Sequence, residues 1–95
     1  MAKLTPEALQ GALTVLPGWQ VDGDLLRKAF RFRTFRDAMA FVNRVAEIAT
    51  EERHHPEVTI NYNRVTLSLT THDEGGLTEK DVAFARRVEA MPAAG

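Results

Sequence analysis

Two short runs of strict alternation constrain this chain most. Val58, Ile60 and Tyr62 alternate with Glu57, Thr59 and Asn61, and Val65, Leu67 and Leu69 alternate with Thr66, Ser68 and Thr70. A period of two marks strands with one buried and one wet face. The gap between them is too short for a crossover, so they form an antiparallel hairpin. A turn at Tyr62-Asn63 pairs Ile60 with Val65 and, extended, sets Arg53 opposite His72. A turn at Asn63-Arg64 sets His55 opposite His72 instead. Neither dipeptide is the favoured Asn-Gly, so both registers stay open. Under either one, His72 returns to the open end of the hairpin beside His54-His55, and all three histidines of the chain gather in one place.

Before the hairpin, Pro56 disfavours helical geometry at His55, so a preceding helix must be over by then. That helix opens at Thr34 or Asp37, and its apolar residues from Phe35 to Ala49 cover close to half its circumference. A stripe of roughly 100° is enough to face one core. Phe41 and Ile48, at the edge of the stripe, therefore meet a second surface, either another helix of this chain or a second copy in a homo-oligomer.

Thr5-Pro6-Glu7 starts an earlier helix, with Leu9, Leu13 and Leu16 as its stripe and Pro17-Gly18 as its stop. Trp19 to Val21 and Leu25 to Arg33 flank Asp22-Gly23, a dipeptide suited to a tight turn. On the second of these strands Leu26, Phe30 and Phe32 share a face with Lys28, and Arg27, Arg31 and Arg33 take the other. Gly75-Gly76 marks an irregular loop, and Thr78-Glu79-Lys80-Asp81 has the capping-box form that opens a last helix with Phe84, Val88 and Met91 on one side. Asp81 lies three residues before Phe84, on that same face. Its carboxylate either points towards the core side or closes the cap on the Thr78 N–H.

Composition excludes several classes. The 95 residues suit one domain, residues 1–95, with 44% hydrophobic and 26% charged residues. A net charge of −1 with interspersed signs gives no basic surface for nucleic acid or an anionic membrane. Without cysteine there is no disulfide, thiolate metal site or cysteine nucleophile. No signal-like apolar run and no stretch of about 18 apolar residues is present, and the chain reads as cytoplasmic.

The histidine cluster therefore carries the chemistry. Imidazole gives and takes protons near neutrality, which suits a reaction needing one proton removed and another delivered. A metal site is disfavoured, because helical H-x-x-x-H spacing is absent and adjacent histidines on an extended chain diverge. Nucleophilic catalysis lacks an elbow motif around Ser68 or the threonines.

The string His54-His55-Pro56-Glu57, then Tyr62-Asn63-Arg64-Val65, then Thr71-His72-Asp73 with Gly75-Gly76-Leu77-Thr78 and Asp81, closely resembles the pterin-4a-carbinolamine dehydratases. The likeness runs from the first helix through Trp19 to the last. It implies an α+β fold of two layers: a four-stranded antiparallel sheet with three helices packed on one face, in the order α-β-β-α-β-β-α. The residue-level reading gives the same order. The resemblance also implies elimination of water from a 4a-hydroxy-tetrahydropterin to give the quinonoid dihydropterin, in recycling of the pterin left by an aromatic amino-acid hydroxylase. No metal or other cofactor is implied. By resemblance His54 and His72 are the acid/base pair, and His55 contributes substrate contact or proton transfer. Asp81 orients a histidine or stabilises its charged form, and Pro56, Thr71 and Asp73 contact the substrate together with the histidines. Implied partners are the pterin, further copies of the chain as a dimer or tetramer, and a pterin-dependent hydroxylase.

Two positions depart from the pattern. Thr50 stands where members often carry a charged residue, with Glu51 next to it, and Val58 stands where a Trp often follows Pro-Glu. The alternative reading is a non-catalytic dimerising partner, or a member acting on molybdenum-cofactor pterins.

Overall fold

The computed structural model describes residues 2–92. Helix α1 spans Pro6–Leu13, strands β1 and β2 span Gln20–Asp22 and Leu25–Arg31, and helix α2 spans Phe35–Glu52. Strands β3 and β4 follow at Glu57–Asn61 and Arg64–Leu69, then a 3-10 turn at His72–Glu74 and helix α3 at Glu79–Glu89. The order is α-β-β-α-β-β-α, as the sequence implies. All strand pairs are antiparallel, in the spatial order β1-β2-β4-β3.

The alternation decides which face the helices cover. Leu26 on β2 and Val65, Leu67 and Leu69 on β4 are buried, as are Ala38, Phe41, Val45, Ile48 and Ala49 on α2 and Val82, Phe84, Ala85 and Val88 on α3. Leu9, Ala12 and Leu13 of α1 pack partly against the same core. At about 1.5–3 kcal/mol for each large side chain taken out of water, this one-sided core is the main stabilising term.

Each helix start is the one its sequence encodes. Thr5 Oγ1 accepts from the Ala8 N–H at 3.1 Å, and Thr34 Oγ1 accepts from the Asp37 N–H at 3.0 Å, so Thr34 rather than Asp37 is the cap of α2. The end of α2 is less obvious. Arg53 takes the left-handed conformation at φ 52°, with its N–H turned back to Ala49 and Thr50, so the helix stops before Pro56 comes into play.

The structure resolves both hairpins. Tyr62-Asn63 is the turn of β3–β4, since Ile60 pairs with Val65 and Asn61 with Arg64. Tyr62 there has φ 53°. Asn63 is tied across to the end of β2: its amide Nδ2 donates to the Phe32 carbonyl at 2.8 Å, and the Phe32 N–H donates to the Asn63 carbonyl at 2.8 Å. In the first hairpin Asp22 pairs with Leu25, so the turn is Gly23-Asp24, one residue later than the sequence suggests. Gly23, at φ 61°, supplies the positive φ at the first turn position, a place that suits glycine.

Two anomalies of the sequence find their partners inside the chain. Lys28, on the apolar face of β2, donates from Nζ to the Pro17 carbonyl at 2.6 Å and to Glu89 Oε2 at 2.8 Å. The Trp19 Nε1–H donates to that same carboxylate oxygen at 2.9 Å. Phe41 is covered by Phe30 and Phe32, with ring centroids 4.7 and 5.0 Å away, and Ile48 lies beside Ala90 and Met91 at the end of α3. The second surface met by the α2 stripe is therefore this chain's own, and the breadth of the stripe gives no argument for an oligomer.

Candidate active site

The end of α2, the start of α3 and the loop after β4 meet at Asp81. This aspartate is fully buried, and both of its oxygens are engaged. Oδ2 accepts from the Thr78 N–H at 2.9 Å, which closes the cap of α3, and from the Thr71 hydroxyl at 2.8 Å. Oδ1 lies 2.6 Å from His54 Nε2. The two roles foreseen for Asp81, cap and histidine partner, are held at once on different oxygens. Thr78, 0% exposed, completes the cluster, with its hydroxyl 2.9 Å from that of Thr71 and accepting from the Lys80 N–H at 3.2 Å.

Local geometry explains how each member arrives. The left-handed turn at Arg53 redirects the chain as α2 ends, and the His54 N–H bonds back to the Ala49 carbonyl at 3.1 Å. The imidazole then points inwards, 8% exposed, with its ring edge-on to Phe84 at 6.2 Å. On the other side Thr71 and Gly76 form an isolated antiparallel bridge that closes a small loop, with Gly75 at φ 73°. His72 begins the 3-10 turn inside that loop. His54 is thus anchored to the Asp81–Thr71 pair through its side chain, and His72 by sitting next to Thr71 in the chain.

The histidines are not equivalent. His55 and His72 are exposed, and neither imidazole takes part in a hydrogen bond or ion pair among the described residues. Pro56 is half-buried and Asp73 exposed. Thr71 is buried, its hydroxyl committed to Asp81 and Thr78. His72 borders a cleft of about 240 Å3 with Asp24, Leu25, Thr70, Gly75 and Gly76. A larger concavity, about 700 Å3, lies on the uncovered face of the sheet around Arg27, Arg64 and Thr66 and touches none of the histidines. Of the three histidines, His72 alone lines the smaller cleft. Among the described residues no three His, Asp or Glu side chains are grouped as metal ligands.

Sequence reading missed Thr78 as a side-chain member of the cluster. The capping-box spacing placed its backbone there, but nothing in the sequence aims its hydroxyl at Thr71. At the departing positions, the Thr50 hydroxyl donates to the Ala46 carbonyl of its own helix at 3.0 Å. Glu51 and Glu52 both bind Arg87, and these bonds, that from Glu51 foremost, hold its guanidinium above its ordinary pKa. Val58 pairs with Leu67 and stays 36% exposed.

Comparison with known proteins identifies the family. The family profile described as pterin 4 alpha carbinolamine dehydratase matches residues 2–91. Two curated relatives, both provisionally named pterin-4-alpha-carbinolamine dehydratase, come from Thermomicrobium roseum and Acidobacterium capsulatum. The first is 54% identical, covering 96% of this chain and 98% of its own, and the second 48% identical, covering 96% and 99%. A crystal structure of a transcriptional coactivator/pterin dehydratase from Brucella melitensis superposes with a TM-score of 0.89 at 41% identity, over 98% of this chain and 99% of the other. A pterin dehydratase-like protein identified as a RuBisCO assembly factor in the alpha-carboxysome is more distant, with a TM-score of 0.62 and 29% identity over 76% and 83%. Among the described residues no helix is long and apolar enough to cross a membrane. On the profile match and these identities, the chain belongs to the pterin-4a-carbinolamine dehydratase family.

Proposed function

We propose that this chain is an active dehydratase that eliminates water from 4a-hydroxy-tetrahydropterin in the cytoplasm, recycling the pterin released by an aromatic amino-acid hydroxylase. The observation that carries the reading is the buried His54–Asp81 pair, held by Thr71 immediately before His72. In the reaction the C4a hydroxyl takes a proton and leaves as water, N5 gives up its proton, and a C4a=N5 double bond forms. The step is redox-neutral, so one acid and one base suffice. His54 and His72 are assigned that pair, at about 10²- to 10⁴-fold for each well-placed group. His55, exposed beside them, contacts substrate or relays a proton, and Pro56, Thr71 and Asp73 shape the rim.

The chain is also proposed to assemble with copies of itself. All five residues of the edge strand β3 are exposed, Val58 and Ile60 on the same side as the core, and an apolar edge of this kind favours pairing with another chain. The second reading is a non-catalytic partner protein, favoured by the likeness to the assembly factor. Following the decay of a chemically generated 4a-hydroxy-tetrahydropterin separates the two. The dehydratase reading expects catalysed decay and fails if the protein does no better than buffer.

A further inference from the structure

We propose that Thr71 and Thr78 are positioning residues that keep the Nε2 proton of His54 in place, so that His54 exchanges protons only through Nδ1. The Thr78 backbone N–H and the Thr71 hydroxyl both donate to Asp81 Oδ2. Because the Thr71 proton is given to Asp81, the 2.9 Å contact between the two threonines must be Thr78 donating to Thr71. The Thr78 oxygen can do so because it accepts from the Lys80 N–H. Every proton in the chain thus points towards Asp81, which accepts at both oxygens in the pattern of a carboxylate. At 2.6 Å from Oδ1, His54 Nε2 must then be the donor.

The other ring nitrogen is left free by the same network. His54 Nδ1 has no hydrogen-bond partner among the described residues. Yet no sealed side-chain nitrogen or oxygen there lacks one, so Nδ1 must reach the surface. A neutral ring with Nε2 protonated offers Nδ1 as a base, and a charged ring offers Nδ1–H as an acid. Thr71 would thereby serve the reaction through Asp81 and His54 rather than by touching the pterin with its hydroxyl.

The proposal depends on the dehydratase reading only for the identity of the group that meets Nδ1. Long-range proton–nitrogen NMR on the 15N-labelled full chain reads the tautomer directly, alongside kcat and KM. Wild type and Thr71→Ser are expected to show neutral His54 protonated at Nε2. Thr71→Val is expected to populate both tautomers and to lower kcat at least 10-fold with little change in KM. Asp81→Asn, whose amide can donate to Nε2, is expected to move the proton to Nδ1, and it carries the test should Thr71→Val fail to fold. A wild-type proton on Nδ1, or an Asp81→Asn chain with the wild-type tautomer, overturns the proposal. Turnover with the proton on Nδ1 would remove the nitrogen assignment alone. The Nε2–H tautomer without turnover would support the assignment and remove the pterin reading.

Discussion

Replacing Asp81 separates its hydrogen-bonding work from its charge. In Asp81→Ala three donors lose their acceptor: the His54 Nε2–H, the Thr71 hydroxyl and the Thr78 N–H. The Thr71 hydroxyl can turn to Thr78, 2.9 Å away, only by displacing the Thr78 proton from that contact, so three buried donors remain without partners. At about 1–3 kcal/mol for each such orphan, the expected loss is about 6 kcal/mol. Asp81→Asn is nearly isosteric. With its carbonyl towards Thr71 and Thr78 and its amide donating to a His54 ring that has moved its proton, every group keeps a partner. Only the charge-assisted share of the bonds is lost, about 1 kcal/mol. Against the roughly 5–14 kcal/mol expected for a domain of 95 residues, the alanine change is severe and the asparagine change mild. Thermal unfolding at one fixed protein concentration should show a fall of about 4–8 °C for Asn and about 24 °C or more for Ala. If the two variants unfold within about 0.5 kcal/mol of each other, the reasoning about orphaned donors is wrong.

Lys28→Ala should cost about 1–2 kcal/mol, because it leaves the Pro17 carbonyl without its donor and Glu89 with the Trp19 N–H but no counter-ion; the check is the urea midpoint followed by Trp19 fluorescence. Arg53→Gly should stabilise the chain by about 1 kcal/mol, since a residue with a β-carbon is held there at φ 52°, and an unchanged or lower midpoint would contradict that. Ile60→Lys, on the exposed edge of β3, should shift the protein towards monomer in analytical ultracentrifugation, and an unchanged sedimentation profile would remove β3 as the assembly edge.

The fold was legible wherever local pattern and tertiary packing agree. Alternation on β2 and β4, the threonine caps and the α2 stripe each name their own element, whereas β3 is a strand as its alternation says but has no buried face, and Tyr62 falls in the turn. What stayed open depended on distant partners. The Tyr62-Asn63 turn runs against the preference of tyrosine for negative φ, and it is tied through Asn63 to Phe32, 31 residues earlier. Lys28 looked out of place because its counter-ion, Glu89, lies 61 residues away. The cover over Phe41 and Ile48 could not be assigned from one helix's own periodicity.

At the site, Thr71, the chain neighbour of His72, and His54 reach the same carboxylate, in keeping with the hairpin. The inequality between the histidines did not follow from the hairpin, because the inward turn of His54 depends on the left-handed Arg53. Spacing posed cap and core-facing carboxylate as alternatives for Asp81, and the resemblance added a histidine partner. A carboxylate has two oxygens, and the structure uses one for the cap and one for the histidine.

The central claim is that His54 and His72 perform the proton transfers of a pterin dehydration. Its most direct test is the decay of 4a-hydroxy-tetrahydropterin with wild type, His54→Ala and His72→Ala side by side. The account predicts that wild type accelerates the decay and that each substitution removes about 10²-fold or more of the acceleration. Three equally fast proteins would contradict it.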